Sequence, residues 1–269
     1  MTEVAATATL APPSPAGLVG EAWRLIRARP RATMLPMFAI QVPLAILTSA
    51  ASALLYLTVF SDETYPAGGI YGVDEAGRPL FALALIMAIN GLFAFVAQGA
   101  TVMAIAGAVQ GKPRSVSASL DPAFTRMGSL LALALMLLAG GALLVISLAG
   151  IILIPFLALR FGLAINTLML EELPPSRALR RSWSLMSGNV LRLLGAMLIT
   201  SLVTAVPLLL LRSAAFAASG GGRDLRLAVD TLLAVAEGVV VVPFAVLGGA
   251  VSTLFYLRVK GRNDGRNPA

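Results

Sequence analysis

The chain has 269 residues, 58% of them hydrophobic and only 12% charged, whereas a soluble domain of that length carries about 25% charge. Its formal net charge is +7, and eighteen of its twenty basic residues are arginine, nearly all flanking apolar runs, a distribution that fits membrane interfaces rather than nucleic acid. Histidine and cysteine are both absent, which excludes Ser-His-Asp and Cys-His nucleophiles, zinc sites built on those residues, disulfides and histidine proton switching.

The opening "MTEVAATATLAPPSPAG" has no basic segment followed by an apolar one, so it does not read as a secretory signal. A short disordered tail is expected over 1–15, a single transmembrane domain over 16–262, and a second tail over 263–269. Crossing a hydrocarbon core of about 30 Å takes about 20 helical residues. The first run of that kind goes from Met34 to Phe60, and the second from Leu80 to Val109. The third, Leu130 to Leu170, is 41 residues with one charge, Arg160. Its helical length of about 61 Å is twice the core thickness, so two helices are expected, with a bend near Ala149-Gly150. A fifth span covers Leu191 to Leu211. A sixth covers Val239 to Leu257, preceded by "RDLRLAVDTLLAVAEG", where Arg223, Arg226, Asp230 and Glu237 share one face. That segment reads as an outer amphipathic helix continuous with the last span.

With the N-terminus inside, fifteen basic residues fall on inner segments, four (Arg78, Arg212, Arg223, Arg226) on outer ones, and Arg160 within the membrane. The bias predicts both termini in the cytoplasm of a cell (inner) membrane.

Three short stretches share a pattern: Val19-x3-Trp23-x2-Ile26, Leu120-x3-Phe124-x2-Met127 and Leu179-x3-Trp183-x2-Met186. Each precedes a pair of spans. In the third, Pro174-Pro175 ends the preceding helix, Ser176 is the expected N-cap, and Arg177 and Arg181 lie opposite the apolar side. Ser187-Gly188-Asn189 ends it. These read as cytoplasmic amphipathic helices resting in the headgroup layer, with Trp23, Arg177, Arg180, Arg181 and Trp183 as headgroup contacts. Two explanations stay open: three degenerate parallel repeats of interfacial helix plus hairpin, or the ordinary preference of returning loops for aromatics and arginines.

The fold class expected is thus all-α integral membrane, with six transmembrane helices and three interfacial ones. Glu171, followed by Ala178-Leu179-x-Arg181-Ser182-Trp183-x-Leu185-x-x-Gly188-Asn189, resembles the membrane domain found beside bacterial glycerophosphoryl diester phosphodiesterases and the stand-alone six-helix YciC-like membrane proteins. Arg160 inside the fourth span and the closing Phe255-Tyr256-Leu257-Arg258 are similar too. That family often carries an acid where this chain has Tyr256. In the fused relatives hydrolysis belongs to a separate soluble domain with catalytic histidines, so the resemblance implies a membrane domain and no phosphodiesterase activity.

Four polar residues within the spans are candidates for a site. Arg160, eleven residues before Glu171, would lie about 16 Å deep in a straight helix. There it either binds an anion, a lipid phosphate or acidic solute, or snorkels and bonds to carbonyls. Asn90 and Gln98 share a face of the second span and suit interhelical hydrogen bonds or a substrate. Glu237 lies near the outer boundary rather than opposite Arg160. Ala139-Gly140-Gly141 and Gly248-Gly249-Ala250 read as close helix packing. No catalytic residue, cofactor or metal is expected. The leading expectation is a non-enzymatic membrane module that interacts with lipids or a protein partner; the alternative is a transporter or permease for a small anionic or lipid substrate.

Overall fold

The computed structural model describes residues 14–59, 73–146, 150–218 and 223–266. The expected N-terminal tail up to residue 13, Phe60 at the end of the first apolar run, and the bend residue Ala149 lie outside them. Every described element is an α-helix: α1 (Pro15–Ala28), α2 (Pro30–Val59), α3 (Val73–Val109), α4 (Val116–Thr125), α5 (Met127–Ile146), α6 (Gly150–Arg160), α7 (Ala164–Leu170), α8 (Pro175–Met186), α9 (Val190–Ala218) and α10 (Arg223–Arg266). Five of them, α2, α3, α5, α9 and α10, are long and apolar enough to cross a membrane. This is the make-up of a multi-pass membrane protein. The run expected to form the fourth span is present as two short helices, α6 and α7, interrupted at Phe161–Leu163. The outer amphipathic segment and the last span are one continuous helix of 44 residues, which extends to Arg266.

Two helices are inner and three peripheral. In the apolar stretches of α3 and α10, 61% and 59% of residues are buried, against 22%, 11% and 17% for α2, α5 and α9. Burial is also uneven along each helix. From 96 to 108 every residue of α3 is buried except Gln98 and Met103, while six of the eight from 84 to 91 are exposed. The core therefore gathers at the arginine-bearing end, around Leu18, Ala22, Ile105, Leu133, Leu168, Leu193, Val246 and Tyr256.

The short helices line up with one another. Leu18, Ser119 and Ala178 are buried, as are Ala22, Ala123 and Ser182 four residues on. The next residue in each case is the aromatic one, and Trp23, Phe124 and Trp183 are 41%, 47% and 41% exposed. Caps follow the same spacing. Ser14 caps α1 by accepting from Gly17 N, Ser115 caps α4 by accepting from Ala118 N, and Pro174 stands in the corresponding place on α8. Pro174 rather than Ser176 is thus the N-cap of α8, because its extended backbone (φ −64°, ψ 156°) precedes a proline at the first helical position. Met127 belongs to the start of α5, since Arg126 ends α4. The expected break at Gly188 is present, with φ +73°, a conformation that glycine adopts without steric cost. Helix α1 packs on α9 and α10, α4 on α3 and α2, and α8 on α7, α5 and α6.

Glycines do two different things here. A Cβ on Gly249 would meet Gln98 Nε2 at 2.8 Å and Thr101 Cγ2 at 3.0 Å, so α3 and α10 approach closely at this point. Gly140 and Gly141 have nothing within 4 Å; the close packing expected at that pair is not present, because α5 turns this face outward. Gly107 is tighter still: a Cβ there would lie 2.8 Å from the backbone oxygen of Lys112. Gly107→Ala should therefore lower stability by about 1–3 kcal/mol, the usual range for overpacking. Gly91→Ala, in open space, should be neutral or stabilising by up to about 1 kcal/mol. Thermal unfolding of the two variants in one detergent checks both.

Candidate functional site

The interruption of the fourth apolar run sets up the arginine-bearing end. Between α6 and α7 the backbone leaves the α-helical ladder, and its polar groups must find other partners. Ser182 of α8 supplies two of them. Its hydroxyl donates to Arg160 O at 2.8 Å and accepts from Leu163 N at 3.2 Å. Ser182 is fully buried, and each of these groups left unmade would cost about 1–3 kcal/mol. A second stitch lies four residues along α7, where Thr167 Oγ1 donates to Ala164 O at 2.9 Å and to Ala178 O of α8 at 3.0 Å. Helices α7 and α8 are thereby joined along their length.

Arg160 is the last residue of α6, and its guanidinium turns toward α8. The guanidinium carbon lies 4.8 Å from the centre of the Trp183 ring and 5.2 Å from that of Phe156, and Nη1 donates to Trp183 O at 3.4 Å. The rings attract the cation through their quadrupoles. No acidic side chain pairs with Arg160 among the described residues, and its Nε is buried with no hydrogen-bond partner. Because the helix breaks just after it, the eleven residues to Glu171 are not a straight rise. Arg160 is placed by α8 rather than by depth alone.

Glu171 closes α7 and collects the charges of two other helices. It accepts from Tyr256 Oη at 2.7 Å, from Arg181 Nε at 3.2 Å and 3.3 Å, and lies 3.6 Å from Lys260 Nζ. Burial acts to raise the Glu171 carboxyl, but the Tyr256 hydroxyl, Arg181 and Lys260 together outweigh it and hold the group below the usual glutamate value. Tyr256 is thus a hydrogen-bond donor to Glu171. Next to it, Glu172 has a left-handed backbone (φ 58°), and its carboxylate pairs with Arg126 at 2.6 Å. Arg126 also donates to Leu168 O at 3.1 Å, satisfying one of the free carbonyls at the end of α7. Arg258 pairs with Glu21 of α1, and Arg262 donates to Asn189 Oδ1 at 3.0 Å. Deeper in, Thr253 donates to Asn166 Oδ1 at 2.9 Å, and Asn166 Nδ2 donates to Ser252 Oγ at 3.4 Å.

The four polar candidates do not converge. Asn90 donates to Thr48 Oγ1 of α2 at 3.2 Å, an interhelical bond. Gln98 lies against Gly249. Glu237 pairs with Arg212 of α9 at 2.7 Å, away from Arg160. Of the headgroup candidates, Arg177, Arg180 and Trp183 are exposed on α8, and Trp23 is exposed on α1 with Arg27 stacked over its ring at 5.4 Å. Arg181 differs from its neighbours, being half-buried and engaged by Glu171. Ser182, Tyr256, Lys260, Arg126 and Asn166 were not among the sequence candidates. Only Ser182 carried a signal, as a polar residue on the apolar side of an amphipathic helix.

Comparison with family models, curated proteins and solved structures finds no match to this chain.

The Glu171 cluster gives stability a defined pH dependence. A folded-state pKa held below the unfolded one adds stability that is complete above the usual glutamate value and is lost as pH falls through the folded value. Unfolding followed in detergent should show the wild-type chain losing stability below that value more steeply than Glu171→Gln, which should be less stable at neutral pH. Equal acid slopes for the two would mean that Glu171 does not carry the dependence.

Proposed function

We propose that this chain is a non-enzymatic, six-crossing protein of the cell (inner) membrane whose arginine-bearing end engages the acidic headgroups of the cytoplasmic leaflet. In this reading α6 and α7 together make the fourth crossing. Stacked end to end they rise about 27 Å at 1.5 Å per residue, close to the core thickness. Six crossings bring both termini to one side, and the excess of arginine there makes that side the cytoplasm. The common register of α1, α4 and α8 supports three parallel repeats of interfacial helix and hairpin. So does their packing, since each lies on the helices of the unit before it and α1 closes the ring on α9 and α10. The resemblance to the membrane domain of the glycerophosphoryl diester phosphodiesterase and YciC-like proteins belongs to the same reading.

One observation carries the lipid role. On α8, Ala178, Ser182, Leu185 and Met186 are buried, while Arg177 and Arg180 are exposed beside Trp183. Neither arginine has an ion-pair partner among the described residues. An amphipathic helix with free arginines next to a half-exposed indole suits a layer that is apolar below and anionic above. Each basic residue near such a surface adds about 1 kcal/mol of attraction. The double variant Arg177→Gln/Arg180→Gln should therefore weaken retention of phosphatidylglycerol over phosphatidylcholine by about thirtyfold, read by native mass spectrometry of the detergent-purified protein. An unchanged preference would remove this role from α8.

A transporter for a small anionic or lipid substrate is the second reading, favoured by the cation at a broken span. Interrupted helices commonly hold substrates in membrane transporters, and Arg160 keeps a buried donor free. In proteoliposomes, movement of an anionic solute or lipid that is abolished in Arg160→Leu would establish this reading. Absence of any such movement by the wild-type chain would leave the lipid-engaging module.

A further inference from the structure

We infer that α1 is a second arm of the anionic-lipid surface, set beside α8 at the start of α9, and that α4 forms no such arm. The second arm rests on the lipid-engaging reading of α8 and extends it to the opposite end of the chain.

Helix α1 presents what α8 presents. Leu18, Ala22 and Ile26 are buried, while Trp23, Arg24 and Arg27 are exposed. Arg27 stacks over the Trp23 ring at 5.4 Å, so its charge rests beside a half-exposed indole. Neither Arg24 nor Arg27 has an ion-pair partner among the described residues. The acid of α1, Glu21, is taken by Arg258 and does not neutralise them. An amphipathic helix of this kind seats its indole at the apolar boundary and turns its arginines to the anionic layer.

Helix α10 sets the two arms side by side. Arg258 reaches α1 through Glu21, and Arg262 donates to Asn189 Oδ1, in the corner that joins α8 to α9, at 3.0 Å. Four residues apart, the two arginines are about one turn apart, roughly 6 Å along the helix axis. The start of α1 also meets α9 directly, since a Cβ on Gly195 would lie 3.0 Å from Pro15. Arg192, in the first turn of α9, is exposed between these contacts in sequence. One corner of the bundle therefore gathers the exposed arginines Arg177 and Arg180 of α8, Arg192 of α9, and Arg24 and Arg27 of α1. Helix α4 shares the register of the other two but not their charge. It contains no base, and it exposes Asp121 beside Phe124.

Native mass spectrometry of the detergent-purified full chain, with phosphatidylglycerol and phosphatidylcholine supplied together, tests the second arm. Arg24→Gln/Arg27→Gln should weaken the preference for phosphatidylglycerol about thirtyfold, as much as Arg177→Gln/Arg180→Gln. Lys112→Gln/Arg114→Gln, which removes two exposed cations from a loop rather than from an amphipathic helix, should leave the preference near that of the wild type. A loss confined to the α8 pair overturns the second arm and leaves the lipid-engaging reading standing. No loss in either helix pair removes that reading and the arm with it. An equal loss from the loop pair makes the attraction one of net charge and overturns the arm as well. Where the α1 double variant does not fold, Arg24→Gln alone, with a loss of about fivefold, is read in its place.

Discussion

Hydrocarbon offers no hydrogen bonds, so any backbone group released from a helical ladder inside it has to be met by the protein itself. Burial inside the protein imposes the same demand at the interruption between α6 and α7, where Leu163, Ala164 and Ser182 are all buried. A break of three residues in a stretch this apolar exposes a carbonyl at Arg160 and an amide at Leu163, and one hydroxyl, from Ser182, meets both. That one contact requires α8 to lie against α6 and α7 in a fixed register. Once it does, Trp183 comes over Arg160, Arg181 comes to Glu171, and the end of α7 faces Tyr256 and Lys260 of α10. The polar cluster at this end follows from repairing the break.

Elsewhere the bundle is held by shape. Helices α3 and α10 meet closely where Gly249 lies against Gln98 and Thr101, and Gly99, on another side of α3, lies against Leu130 and Met169. Helices associate in membranes largely by such close packing, since lipid tails are as apolar as leucine. The Thr101 hydroxyl turns back onto its own helix, donating to Ala97 O at 2.8 Å, and so adds no unmet donor to the interface. Packing fades toward the other end, where Phe81, Leu85 and Met87 of α3 are exposed, and the pair Arg212–Glu237 joins α9 to α10.

The sequence displayed the long helices and the short amphipathic ones clearly, because length and apolar periodicity are local properties. The register of Trp23, Phe124 and Trp183 was readable for the same reason. The fourth run was harder. Its composition is largely apolar, and the bend expected near Ala149-Gly150 left the break at Phe161–Leu163, next to the lone charge, unmarked. What remained hidden was pairing between distant segments. Nothing local says that Glu171 meets Tyr256, 85 positions away, or that Arg126 reaches the end of α7. Arg160 shows the limit of depth arithmetic: counting residues assumes a straight helix, and the aromatic rings of α8 decide where its charge rests. The glycine pairs divide on the same ground, since Gly249 faces a neighbour and Gly140 does not, and only the packing of whole helices determines which.

The contacts of α1 bear on how such a chain is built. It precedes every other described helix, yet it packs chiefly on α9 and α10, and its carboxylate Glu21 is matched by Arg258, 237 residues further along the chain. Ser182 likewise is translated after the gap it closes. The seat of α1 is therefore complete only once α9 and α10 have been made.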